Sequence, residues 1–237
     1  MTAADVKQAL KDVSDAEKAK NSAWFFKSGP GEYGEGDKFI GVTVPNQRKV
    51  ANKFKDLALD EIIKLISSPI HEHRLSGVII LVGQFDRSKT EATKQEIYDT
   101  YFKLLDAGHI NNWDIVDSSA HQIVGGWLAD KNRGVLVDLA RSGQLWHQRV
   151  AIIATYHFIK QEDFTDTILV AELLLDHPHD LIHKAVGWML REIGNRDRGV
   201  VEEFLQKHYK YMPRTMLRYA IEKFPEELRR LYLEGTA

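Results

Sequence analysis

The chain has 237 residues, 43% of them hydrophobic, and its 32 Lys+Arg against 34 Asp+Glu leave a formal net charge of −2. That apolar content supports a folded core, while no run approaches the roughly 18 consecutive apolar residues of a membrane span. No charged and then apolar leader opens the chain, so a cytoplasmic protein is expected. The absence of cysteine excludes disulfides, thiolate catalysis and Cys-ligated metals, and the near-neutral charge means that phosphate binding would need basic residues sorted onto one surface.

In chain order, the first distinctive segment is Lys27–Lys38, where four glycines and a proline make a loop. No Gly-Lys-Ser/Thr follows, and the loop carries Glu32, Glu35 and Asp37, so it is not a phosphate loop. It reads as a connector, with a mobile flap as the alternative. Helical periodicity then begins. Leu59, Ile62, Ile63 and Ile66 recur at 3–4 spacing and are stopped by Ser67-Ser68-Pro69. The apolar run at 77–82 could be a strand, but its flanks extend it to helix length, so a buried helix is expected. Segments 115–128, 163–175, 181–193, 200–208 and 214–224 show helical spacing, and nothing argues for a sheet.

A degenerate repeat runs through these helices. Arg74, Asp114, Arg149, Lys184 and Arg218 each open a helix of small and aliphatic residues, at intervals of roughly 35–40 residues with another helix-length segment between. The pattern predicts an all-α fold, a single HEAT-like α-solenoid domain over 1–237 built of antiparallel helix pairs with a concave groove. Four of the five openers are cationic, which predicts a basic stripe on that groove; salt bridges between repeats are the competing role for them.

Chemistry-bearing residues cluster in four places. Trp113 and Asp117 lie at i and i+4, one helix face pairing an indole with an acid. Asp114 and Asp117 also fall where acids favour a helix start, so capping competes with function for both. Lys184, Trp188 and Arg191 put two cations around an indole on one helix face, a pattern suited to phosphate contacts flanking a stacking surface; a core tryptophan with solvated charges is the alternative. Trp146 and Arg149 make a third such pair. Pro45 opens a helix followed by Arg48, Lys49 and Lys53, a phosphate anchor or equally a solvated face. His179 and His183 have zinc-compatible spacing, but no third ligand stands at a recognisable distance, and no metal is expected. No P-loop, dinucleotide fingerprint or nucleophile elbow is present.

Taken in order, Phe25, Val44-Pro45-x-x-Arg48, Trp113-Asp114-x-Val116-Asp117, Trp146-x-x-Arg149 and Gly187-Trp188-x-Leu190-Arg191-Glu192 resemble the AlkD-type DNA alkylation repair family of HEAT-like-repeat glycosylases. The resemblance covers Ala23 to Arg218. It implies a DNA glycosylase of base excision repair, which releases cationic N3- and N7-alkylated purines such as 3-methyladenine and 7-methylguanine. The implied partner is double-stranded DNA containing alkylated bases, with no metal, no nucleotide cofactor, and no turning of the base into a pocket. It further implies Asp117 as the catalytic carboxylate, Trp113 and Trp188 as the indoles against the lesion's sugar and backbone, and Arg149 as the cleft arginine. Arg191 and Arg48 match phosphate-side positions. Phe25 stands where AlkD-type enzymes carry a tyrosine, and Thr43 replaces a glutamine. With Lys184, Arg74 and Arg218 from the repeat, these make the expected DNA-binding set. A DNA-binding protein without catalysis and a protein-binding solenoid scaffold are the alternatives.

Overall fold

The computed structural model describes every residue, Met1–Ala237, and the chain divides into two compact units, Met1–Ile123 and Val124–Ala237. All regular structure is helical; the one extended pairing is an isolated bridge between Lys38 and Ile70.

The first unit contains α1 (Ala3–Lys11), α2 (Ala16–Phe25), α3 (Val44–Lys53), α4 (Leu59–Ile66), α5 (His71–Arg87), α6 (Glu91–Asp106) and α7 (Trp113–Asp117). Polar side chains at their starts take up the orphan amides of the first turns. Thr2 and Asp5 form a reciprocal capping box on α1, Asp15 accepts from two amides of α2, and Thr90 caps α6. The helices α4 and α5 pack closely because Gly77 carries no side chain: a Cβ there would lie 2.7 Å from Ile66 Cγ1. Ile62, Leu65, Ile66, Val78, Leu81, Ile115 and Val116 form the fully buried core beneath them.

The second unit follows with α8 (Gly134–Arg141), α9 (Leu145–Ala154), α10 (Tyr156–Ile159), α11 (Thr165–Leu173), α12 (Asp180–Gly194), α13 (Arg198–His208), α14 (Arg214–Ala220) and α15 (Glu226–Glu234). Short connections turn α8 against α9 and α11 against α12, as expected for antiparallel pairs. The same glycine device recurs. At Gly187, three residues after an opener just as Gly77 is, a Cβ would lie 2.5 Å from Met216 O, so only glycine lets α12 lie so close to α14.

The apolar run at 77–82 lies inside α5, as a helix. The segment 115–128 differs from its expected single helix. The helix α7 ends at Asp117, and a π-turn over His121–Gly125 and a 3₁₀ turn over Leu128–Asp130 follow. Ser119 explains the break. Its fully buried hydroxyl bonds back to Ile115 O at 2.7 Å and meets Tyr101 Oη at 3.0 Å, which competes with regular helix continuation.

Candidate functional site

In the first unit the site is built on α7. Its N-cap is Asn112, whose side-chain oxygen accepts from Trp113 N–H at 2.8 Å. Neither aspartate therefore serves as the cap. Asp114 is buried, with Oδ2 2.9 Å from His71 Nε2, and His71 Nδ1 lies 3.2 Å from Asp37 Oδ2. Asp37 is completed by Arg74 Nη2 at 2.6 Å and Asn112 Nδ2 at 3.0 Å. An imidazole set between two carboxylates donates from both nitrogens only when protonated. Burial alone would push His71 down, but the adjacent Asp114 charge and the hydrogen bonds to Asp114 and Asp37 raise it to about 9. For Asp37, burial works upward and is outweighed by the His71 hydrogen bond and the Arg74 charge, leaving its carboxyl below the usual range. Two cations and two anions thus close a buried network.

This network corrects two expectations. Arg74 is not an exposed groove cation: it is 3% exposed, bonded to Asp37 and to Ser68 O at 3.1 Å. The Gly-rich loop is more than a connector, because its Asp37 is the acid on which the network closes. His71 and Asn112 were not singled out in the sequence. The available signal was the i, i+3 placement of His71 and Arg74 on one face of α5.

Aromatic rings stack over the imidazolium. Phe26 lies 4.7 Å from His71 and 5.4 Å from both Phe39 and Trp113, while Phe25 meets Trp113 edge-on at 6.0 Å. Trp113 and Asp117 are both half-buried. Asp117 is the last residue of α7, where a carboxylate faces the negative end of the helix dipole and gains nothing from it. Its charge, after burial, helps to hold the Tyr101 phenol above its ordinary value. On α3, Arg48, Lys49 and Lys53 are all exposed.

In the second unit, Trp188 is half-buried, with Nε1 donating to Glu192 at 3.1 Å and its ring 6.1 Å from Tyr156. Of the cations flanking it, Lys184 pairs with Asp180 at 2.9 Å and Arg191 with Glu222. Arg149 is 4% exposed and donates to Leu181 O in the first turn of α12, the helix that carries Trp188. Arg218 is exposed. The expected stripe of exposed openers is therefore not formed. Arg74 and Arg149 turn inward, Arg74 onto Ser68 O just past the end of α4 and Arg149 onto Leu181 O in the first turn of α12. The nearby histidines serve the turn before α12. His179 Nδ1 accepts from Leu181 N–H at 3.1 Å, His177 Nδ1 accepts from His179 N–H at 3.0 Å, and His183 bonds His177 O.

Paired helices and buried polar residues near helix starts define a helical-repeat protein. The model of the DNA alkylation repair enzyme family matches residues 6–224, and the chain belongs to that family. Among solved structures, a predicted DNA alkylation repair enzyme from Enterococcus faecalis is similar, with a TM-score of 0.68 and 16% identity over 90% of this chain and 97% of that one. That likeness is one of fold. No curated protein matches the chain, and no helix is long and apolar enough to cross a membrane.

Proposed function

We propose that the chain is a DNA glycosylase that hydrolyses the N-glycosidic bond of cationic N3- and N7-alkylated purines in duplex DNA. The observation that carries this reading is Asp117, a half-buried carboxylate at the C-terminal end of α7, on a helix already capped by Asn112. A carboxylate at that end of a helix is not placed there by the helix dipole, and it is suited to meet a developing cation. Family membership supplies DNA as the substrate class.

An alkylated purine carries its positive charge before reaction begins, so the base leaves as a neutral molecule without being protonated. As the C1′–N bond breaks, its electron pair goes to the base and positive charge develops on the sugar. The Asp117 carboxylate stabilises that charge electrostatically and orients the water that adds to C1′. Trp113 and Trp188 each present a half-buried indole for the DNA, and an indole–cation contact is worth about 0.5–2 kcal/mol when desolvated. Arg48, Lys184, Arg191 and Arg218 serve as phosphate contacts. Arg149 acts by fastening the first turn of α12, and Arg74 by closing the network beneath Trp113. The reaction calls on no metal or nucleotide cofactor, and a cytoplasmic location suits it.

The test is incubation with methylated duplex DNA in the presence of chelator. Release of 7-methylguanine or 3-methyladenine is expected. With enzyme in excess, no release of either base would leave a DNA-binding protein without catalysis.

A further inference from the structure

Trp24 takes no part in the site described so far, yet it is the most exposed large hydrophobic side chain of the molecule, at 84%. Its neighbour Phe25 is 56% exposed. An open indole at the end of a helix forgoes burial that would stabilise the fold, so the ring is informative. Two hollows share it as a wall. The first, about 460 Å3, is lined by Lys18, Asn21, Phe25 and Thr43 among others. The second, about 520 Å3, has Lys27 at its rim. Both lie within the range of about 300–1,000 Å3 typical of small-ligand sites.

We propose that the hollow between Trp24 and Thr43 is a binding site for an unpaired nucleobase of the DNA. Three features select a base over other flat ligands. The walls are aromatic and exposed, which suits stacking of any base. Asn21 is exposed at the edge of the hollow, and its amide can meet a base edge with one donor and one acceptor. Thr43, although the N-cap residue of α3, makes no capping hydrogen bond, which leaves its hydroxyl for a ligand. Cations outnumber acids around the hollows: Lys18 and Lys27 line them and Arg48 and Lys49 are exposed beyond Thr43, against Asp15, which pairs with Lys18 at 2.9 Å, and Glu32, which lines the second hollow. Those charges favour nucleic acid over an apolar protein segment. The ring chain continues from Phe25 to Trp113 at 6.0 Å, so the hollow adjoins the aromatic cluster on α7.

The base must be unpaired because a base within the stack has both faces covered. A base displaced beside a lesion, or left opposite one, has a free face and costs little to draw out. The proposal rests on the reading of DNA as substrate but not on catalysis.

The experiment uses the full chain and two duplexes of equal length, one fully paired and one with a single bulged 2-aminopurine, at fixed salt. Tighter binding of the bulged duplex, with quenching of the 2-aminopurine fluorescence, is expected. Trp24→Ala should weaken that binding about fivefold or more, the low end for loss of one base–aromatic stack, abolish the quench and leave the paired duplex unaffected. Trp24→Phe should retain both. Unchanged quenching in Trp24→Ala, or equal weakening on both duplexes, would overturn the proposal. So would self-association of the free chain that Trp24→Ala removes, since the indole would then serve a protein contact. A chain that releases methylated bases but never quenches the probe refutes this site alone; quenching without release refutes the glycosylase reading alone.

Discussion

Arg74 and Arg149 lie near the starts of α5 and α9, both are buried, and each is tied to a different neighbouring element. Arg74 lies in a network of opposite charges with Asp37, His71 and Asp114, contributed by a loop, α5 and α7. Arg149 bonds the Leu181 carbonyl at the start of α12. The charged residues beside the indoles differ in the same way. Those behind Trp113 are sealed in, whereas those around Trp188 pair at the surface, with Lys184 on Asp180 and Arg191 on Glu222. Charges in the first unit fix the shape of a helix start; surface pairs in the second can be exchanged for phosphates at little loss. A repeat position thus sets where a cation stands, and its local surroundings decide what it does.

The largest expected effect on stability breaks the first unit's side of this contrast. Asp114→Asn leaves the His71 imidazolium buried without its main counter-charge, and breaking such a pair from one side costs about 3–5 kcal/mol. Denaturant unfolding of the variant checks this, and a loss below about 1 kcal/mol, the range of an exposed pair, would mean that the network is not closed. Asp114 is accordingly no mild comparator for Asp117, although both acids fall where the sequence predicts a helix start.

A pH series separates the network from its neighbour on the same helix. His71 has its folded-state value raised to about 9. The stability it contributes is present in full below the unfolded value of 6.5 and is lost as pH rises through 9. His73 is lowered to about 4 by burial and the Lys7 charge, so its contribution is present above 6.5 and is lost as pH falls toward 4. The thermal midpoint should therefore decline on both sides, with the alkaline decline absent in His71→Gln. If His71→Gln retains the decline between pH 8 and 10, the imidazolium is not its source.

The smallest effect concerns the second unit. Neutralising Lys184 or Arg191 should leave stability nearly unchanged, since each pair is exposed on at least one side. If each cation transfers to a phosphate, each substitution lowers the slope of log K against log[salt] by about 0.9. Unchanged slopes in both variants would make these cations purely structural.

Helices were legible because their information is local. The stop at Ser67-Ser68-Pro69 and the apolar spacing before it mark α4, and the flanks of 77–82 decide for α5 over a strand. The break after Asp117 was not legible, because it depends on Ser119 meeting Tyr101 from another helix. The network joins positions 37, 71, 74, 112 and 114, which no periodicity connects. For the same reason the spacing of Arg74 and Arg149 located their helices correctly while leaving open whether they faced solvent. Trp113 with Asp117, and Trp188 between two cations, were legible as helix faces, and all three residues are half-buried.

The central claim is that Asp117 supplies negative charge to a developing sugar cation. Single-turnover excision by Asp117→Asn on methylated duplex DNA tests it directly. The substitution preserves size and hydrogen-bonding capacity and removes only the charge. Loss of an electrostatic stabiliser of this kind typically lowers the rate by about 10²–10³. A fall of that size is expected with DNA affinity little changed, because the charge acts in the transition state and phosphates gain nothing from it in the ground state. An Asp117→Asn protein that excises at the wild-type rate would contradict the account.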